Sequence, residues 1–184
     1  QSAEADFAWF ERRFQSLKAG TASPMHPSVT QLWRAFLDSG LAPSELPREP
    51  VSVFHFCDNE ADADHCAALV VARRKQATAA SLWWHEACGE PVPRAGDHHV
   101  VTDWSGEARC VIRTTEVAVV SFRDVTAEHA AAEGEGDLTL EWWRVTHWAY
   151  YHRELAGTAF TPRDDMPIVC ERFIVVFPVI ETAG

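Results

Sequence analysis

The sequence is short of basic residues, of paired cysteines and of long apolar runs, and each shortage removes a class of function. Lys and Arg total 16 against 27 Asp and Glu, a formal charge of -11. A surface that coats duplex DNA needs many phosphate contacts from basic residues, so no duplex DNA partner is expected. Any nucleic-acid contact is local: a small basic patch inside an acidic shell accepts a loop, a single strand or one nucleoside. The five cysteines, Cys57, Cys66, Cys88, Cys110 and Cys170, are odd in number and dispersed, without CxxC or zinc-knuckle spacing. They read as buried small hydrophobes in a reducing compartment, Cys110 and Cys170 most plainly because they sit inside apolar runs. No apolar run reaches the roughly 18 residues of a membrane-spanning helix, and no n-region and h-region of a leader are visible. The expectation is a cytoplasmic protein with no membrane partner.

What is present is core material. The chain has 184 residues, 47% of them hydrophobic and eight of them Trp, enough for one domain without staples. Periodicity predicts a first helix over Ala5 to Lys18 and a second over Pro27 to Ser39, the latter with Val29, Leu32, Trp33, Phe36 and Leu37 as its apolar stripe. Leu41 to Pro50 carries three prolines and reads as a loop, so residues 1–50 form a helical N-terminal cap on a body spanning 51–177. Within the body, Val51 to Phe56 reads as a strand, Asp62 to Arg74 as a helix and Ala79 to Trp84 as extended. His98 to Thr102 and Arg109 to Phe122 form a hairpin around Asp103-Trp104-Ser105-Gly106. Asp124 to Ala132 and Leu138 to Leu155 read as helices, and Met166 to Val176 as a closing strand. Strands interleaved with short helices, without regular βαβ spacing, favour an α+β fold with a small mixed barrel.

Two short segments could carry chemistry. Arg73-Arg74-Lys75-Gln76-Ala77-Thr78 is the densest basic run and falls at a helix-to-strand junction, where Arg and Lys can meet a phosphate and the Thr78 hydroxyl a reacting group. It equally suits a basic helix C-terminus that complements the macrodipole. Glu133-Gly134-Glu135-Gly136-Asp137 alternates glycine with carboxylates, which lets the backbone bring an acid close to a ligand or a metal-bound water; the same residues also suit a helix cap. Arg113 and Glu116 interrupt an apolar strand, so one of them could line the barrel mouth, or they could serve in a cross-strand ion pair. Trp143 and His147 share a helix face, as a buried pair or as a stacking surface. In Asp97-His98-His99 neighbouring strand residues point to opposite faces, which disfavours a shared metal ion.

RRKQAT, PRAGD at 93–97, CVIRTTEV at 110–117, the stretch 125–155 containing EGEGD, and MPIVCERFIVV at 166–176 resemble the longer bacterial members of the ASCH family, over roughly residues 50–177. The resemblance implies a PUA-like β-barrel flanked by helices, with a cleft that engages single-stranded RNA or a modified cytidine nucleoside. Some such proteins are metal-dependent ribonucleases, and small relatives hydrolyse N4-acetylcytidine with a Lys, a Thr and a Glu. Lys75 and Thr78 match the GxKxxT element, and Glu133 falls four residues after His129, where those amidohydrolases keep their Glu. Here Arg73 replaces the motif Gly, and Ala80 stands where an Arg often follows. For a ribonuclease, Arg73, Arg74 and Lys75 would hold phosphate oxygens while Glu133, Glu135 and Asp137 hold magnesium or manganese, which oxygen ligands suit better than zinc. The amidohydrolase would need no metal. The resemblance to the longer members makes a divalent-metal-dependent ribonuclease on single-stranded RNA the leading expectation, with the N4-acetylcytidine amidohydrolase and a non-catalytic RNA-binding module as alternatives.

Overall fold

The computed structural model describes residues 25–179; the helix expected over Ala5 to Lys18 lies outside the described residues. Helix α1 (Pro27–Asp38) carries its proline in the first turn, where a missing N–H costs nothing. Val29, Trp33 and Phe36 recur at helical spacing and are buried against Val100 and Val111 of the sheet. Fully burying side chains such as Val29 and Phe36 stabilises by roughly 1.5–3 kcal/mol each, so this helix is part of the core. Trp33 Nε1 also donates to the Pro47 carbonyl (3.0 Å), tying down the proline-rich loop that follows.

Strand β1 (Val53–Phe54) is shorter than the expected 51–56. Helix α2 (Glu60–Val71) is capped by Asn59, whose side chain accepts from Asp62 N. It stops before Arg74, the expected end, because Arg73 adopts φ 58, a left-handed conformation that a helix does not continue through. Strand β2 (Ala77–Ser81) runs directly into helix α3 (Leu82–Cys88). Extended structure was expected through Trp84; instead the Ser81 hydroxyl accepts from Trp83 N and starts the helix early. Strands β3 (His98–Thr102) and β4 (Ala108–Ser121) form the expected hairpin, closed by Gly106 N donating to the Asp103 carbonyl at 3.0 Å. A short 3-10 turn (Phe122–Asp124), helices α4 (Ala127–Ala132) and α5 (Leu140–Glu154), and strand β5 (Pro167–Phe177) complete the order.

The five strands form one mixed sheet in the order β1-β3-β4-β5-β2, with β1 parallel to β3 and the other pairs antiparallel. β4 pairs with β3 through its first half and with β5 from Val111 to its end. Register shifts at Val111/Ile112 and Thr114/Glu116 bend it, as bulges do. The α+β class and flanking helices are as expected; the barrel is an open one, its edge strands β1 and β2 not paired with each other.

One apolar cluster lies under α5 and includes Trp84, Phe122, Trp143, Tyr151 and Ile168. A second lies between α2 and the sheet and includes Phe56, Cys66, Val70, Ile112 and Phe173. Cys110 and Cys170 are buried free thiols, as their apolar runs suggested, and so is Cys66, whereas Cys57 and Cys88, expected to be buried too, are only half-buried.

Candidate functional site

Where the two clusters approach, a cavity of about 1150 Å³ opens between β1, β2, the loop 133–137 and α5. Backbone contacts bring the two sequence-distant segments of its floor together. Beyond α2, Arg74 N and Lys75 N both donate to the Leu69 carbonyl (2.9 and 3.1 Å), and Gln76 N donates to the Ala132 carbonyl (2.8 Å). Gly134 (φ 72) lies on this strip so closely that an added Cβ would stand 2.3 Å from the Arg74 carbonyl oxygen. Gly136 (φ 56) makes the same kind of approach to the Trp142 ring. Only glycine fits at either place.

This arrangement buries Lys75 and Glu133 together. Lys75 Nζ donates to Glu133 Oε2 at 2.9 Å and also to Glu135 Oε1, and it sits over the Phe56 ring, 5.1 Å from its centroid. Glu133 Oε1 accepts from Trp143 Nε1 at 2.7 Å, with His147 Nε2 at 3.5 Å and His129 Nε2 at 3.7 Å. His147 stacks on Trp143 with ring centroids 4.1 Å apart; its Nδ1 faces the Trp143 carbonyl at 3.0 Å, so that nitrogen carries a proton. Burial works against both charges of the pair. The two carboxylates overcome it at Lys75, holding the ammonium's pKa above its ordinary value. Lys75, followed by His147 and His129, overcomes it at Glu133 and holds that carboxyl well below the usual range. Burial also lowers the His129 pKa.

Thr78 is half-buried on β2 and lines the cavity with Lys75, Glu133, Glu135 and His147. The structure therefore gathers the Lys, Thr and Glu singled out in the sequence. It does not gather the other candidates. Arg74 is exposed, and Arg73 turns its guanidinium to the Pro178 and Val71 carbonyls; neither lines the cavity. Arg113 and Glu116 are both exposed, contrary to the expectation that one of them faces the barrel mouth, because the bulge at Thr114/Glu116 leaves Thr114 as the inward residue. Trp143 is buried in the core and acts on the site through Glu133; Trp142 lines the cavity instead.

The carboxylates of the glycine-rich loop do not converge as a ligand set for magnesium or manganese. The Lys75 ammonium stands between Glu133 and Glu135, and Asp137 accepts from the Thr139 hydroxyl (2.6 Å) and amide (2.9 Å) at an exposed helix start. Among the described residues no group of three His, Cys, Asp or Glu side chains is arranged to hold a metal ion.

Sequence reasoning missed Glu171 and Thr114, and weighed His99 only as a metal ligand. Glu171, on β5, is buried yet lines the cavity. Thr114 donates to its Oε1, and His99 Nε2 lies 3.2 Å from the same hydroxyl. The available signal was Glu171-Arg172 inside an apolar strand: neighbours there face opposite ways, so one charged residue of the two has to point inward.

A bulged mixed sheet flanked by helices, with a polar cleft beside its edge strand, defines a domain of the PUA-like class. The chain belongs to the ASCH domain family, whose model matches residues 52–177. Among solved structures it is similar to the ASCH domain from Lactobacillus crispatus JV V101, with 32% identity, a TM-score of 0.74, and coverage of 84% of this chain and 97% of that one. It is likewise similar to protein EF3133 from Enterococcus faecalis V583, with 31% identity, a TM-score of 0.71, and coverage of 80% and 87%. No curated protein matches the sequence. Among the described residues no helix is long and apolar enough to cross a membrane.

Proposed function

We propose that the protein is an amidohydrolase of acylated nucleosides, N4-acetylcytidine being the substrate its family resemblance suggests. The observation that carries this reading is the buried Lys75 ammonium, fixed by two carboxylates in the cavity that Thr78 also lines. A cavity of about 1150 Å³ is slightly larger than the usual small-molecule site and accommodates a nucleoside.

In this reading Lys75, already charged, polarises the acyl carbonyl and stabilises the negative charge that develops on its oxygen. The Thr78 hydroxyl oxygen bonds to the acyl carbon while its proton passes to a carboxylate of the Glu133/Glu135 pair. The carbon–nitrogen bond then breaks, the leaving amine takes that proton, and water hydrolyses the Thr78 ester to release the acid. Glu133 has both oxygens engaged, so its first duty is to hold Lys75 charged and in place; Glu135, at 18% side-chain exposure, is the more accessible proton carrier.

The metal-dependent ribonuclease is the weaker alternative, because its expected ligands are engaged by Lys75 and Thr139. The two are separated by turnover of N4-acetylcytidine and of a short fluorescent single-stranded RNA, each with EDTA or manganese. Deacetylation that persists in EDTA and disappears in Lys75→Ala and Thr78→Ala supports the amidohydrolase. RNA cleavage lost in EDTA overturns it in favour of the nuclease, and RNA affinity without turnover of either substrate leaves a binding module.

A further inference from the structure

We propose that Glu171, held by Thr114 and backed by His99, is the specificity-determining group of the cleft and hydrogen-bonds the amide or amidine edge of a nucleobase. The proposal rests on reading the cavity as a nucleoside site.

Position is the first argument. Glu171 on β5 is the register partner of Thr78 on β2. Directly opposed residues of an antiparallel pair project from the same face of a sheet, and both line the cavity. A base held at Glu171 therefore lies beside the Thr78 hydroxyl.

The second argument is how the carboxyl is held. Glu171 is 7% exposed, and among the described residues its hydrogen-bond partner is Thr114, a fully enclosed hydroxyl, with no cation paired to it. Since Thr114 donates to Glu171, it accepts from His99 Nε2, which fixes the His99 tautomer and leaves its Nδ1 a buried lone pair without a hydrogen-bond partner. This is the opposite of Glu133, whose oxygens meet Lys75 and Trp143. The titratable groups around Glu171 are Asp97 and His99 on the β3 side, with Lys75, Glu133 and Glu135 sharing the cavity. Burial raises the Glu171 pKa, the Thr114 bond opposes it and Asp97 adds to it. A buried carboxyl with no cation keeps its proton more readily than one paired to a lysine.

Chemistry supplies the third argument. A neutral carboxylic acid offers a donor and an acceptor side by side, while Oε1 retains a second lone pair beyond the Thr114 bond. That pair complements an N–C–O or N–C–N edge, such as N3 and the exocyclic amine of cytidine. A site built to hydrogen-bond such an edge rejects analogues that cannot match it, because its own buried groups are then left unpaired.

The test is calorimetric binding of cytidine, N4,N4-dimethylcytidine and ribose to the intact chain, for wild type, Glu171→Gln and Glu171→Leu, from the ordinary glutamate value of 4.5 upward to about pH 8.5. The dimethyl analogue loses the amine donor and should bind at least about tenfold more weakly than cytidine to the wild type. Glu171→Leu should lose at least about tenfold for cytidine and no longer discriminate the analogue. Glu171→Gln, which keeps a donor and an acceptor, should retain affinity and make it independent of pH, whereas wild-type affinity falls as pH rises. Thermal unfolding of each variant shows that it is folded. Wild-type-like discrimination by a folded Glu171→Leu overturns the proposal and leaves the Lys75–Thr78 reading intact. Glu171-dependent binding without any deacetylation sinks the hydrolase and keeps the recognition site. Absence of nucleoside binding in the wild type overturns both.

Discussion

Lys75 and Glu133 face each other across 2.9 Å with both side chains 2% exposed. Glu133 does not tolerate the loss of Lys75, because the buried carboxylate would then have neither water nor a cation beside it, whereas Lys75 would keep Glu135 if Glu133 were lost. Lys75→Met alone should therefore destabilise the fold by about 3–5 kcal/mol, and Glu133→Gln added to it should recover a substantial part. Urea unfolding checks this: the midpoint should fall in the single variant and rise again in the double, at an unchanged slope.

The two buried glutamates should bend the stability profile in opposite directions. Glu133 has a folded-state pKa below its ordinary 4.5, so its contribution is present above that value and is lost as pH falls toward the depressed pKa. Glu171 has a folded-state pKa raised above 4.5, so its contribution is present below 4.5 and is lost as pH rises through the raised pKa. Relative to Glu171→Gln, the wild type should become progressively less stable as pH rises above 4.5. Parallel melting curves for the two proteins across that range would contradict the assignment.

Gly134 and Gly157 both have positive φ but differ in surroundings. An added methyl at Gly157 meets nothing within 4 Å, whereas at Gly134 it would stand 2.3 Å from a backbone oxygen. Gly157→Ala should cost about 1–2 kcal/mol, the left-handed penalty alone. Gly134→Ala should cost more than about 3 kcal/mol and displace Glu133 from Lys75. Chemical denaturation gives the first comparison, and loss of deacetylation in Gly134→Ala alone gives the second.

If the cleft takes single-stranded RNA at all, it should do so with little dependence on salt. Arg73 is turned to carbonyls, Arg153 pairs with Asp58, and Lys75 is already neutralised. One or two phosphate contacts correspond to a log–log slope of magnitude about 0.7–1.4 for a single strand. Fluorescence anisotropy titrations across salt concentration measure it, and a much steeper slope would mean that a basic surface outside the cleft does the binding.

The order of helices and strands was legible because it is local. The Val29, Trp33 and Phe36 stripe, the Asp103–Gly106 turn and the apolar run from Met166 to Val176 each declare their own geometry. Boundaries shifted where a single side chain intervened, as when Ser81 capped α3 and Arg73 ended α2. Within the site, the segments 73–78 and 133–137 stood out by charge and glycine pattern, and resemblance to a motif then picked Lys75, Thr78 and Glu133 from them; spacing could not have joined residues 75 and 133. Arg113 and Glu116 were misjudged because alternation along β4 is reset by its bulge. Glu171 went unnoticed for a related reason: its importance comes from Thr114 and Thr78 on neighbouring strands, and strand pairing is invisible along a single chain.

The contacts of Gly134 and Gly136 separate the route of the 133–137 loop from its chemical equipment. The path is locked by two positions that have no side chain, leaving Glu133, Glu135 and Asp137 as attachments to a fixed frame. Such a frame can be refitted: exchanging the groups at 133 and 135 alters what the cleft does to a ligand while the chain keeps its course, so a change of reaction on this scaffold need not begin with a change of shape.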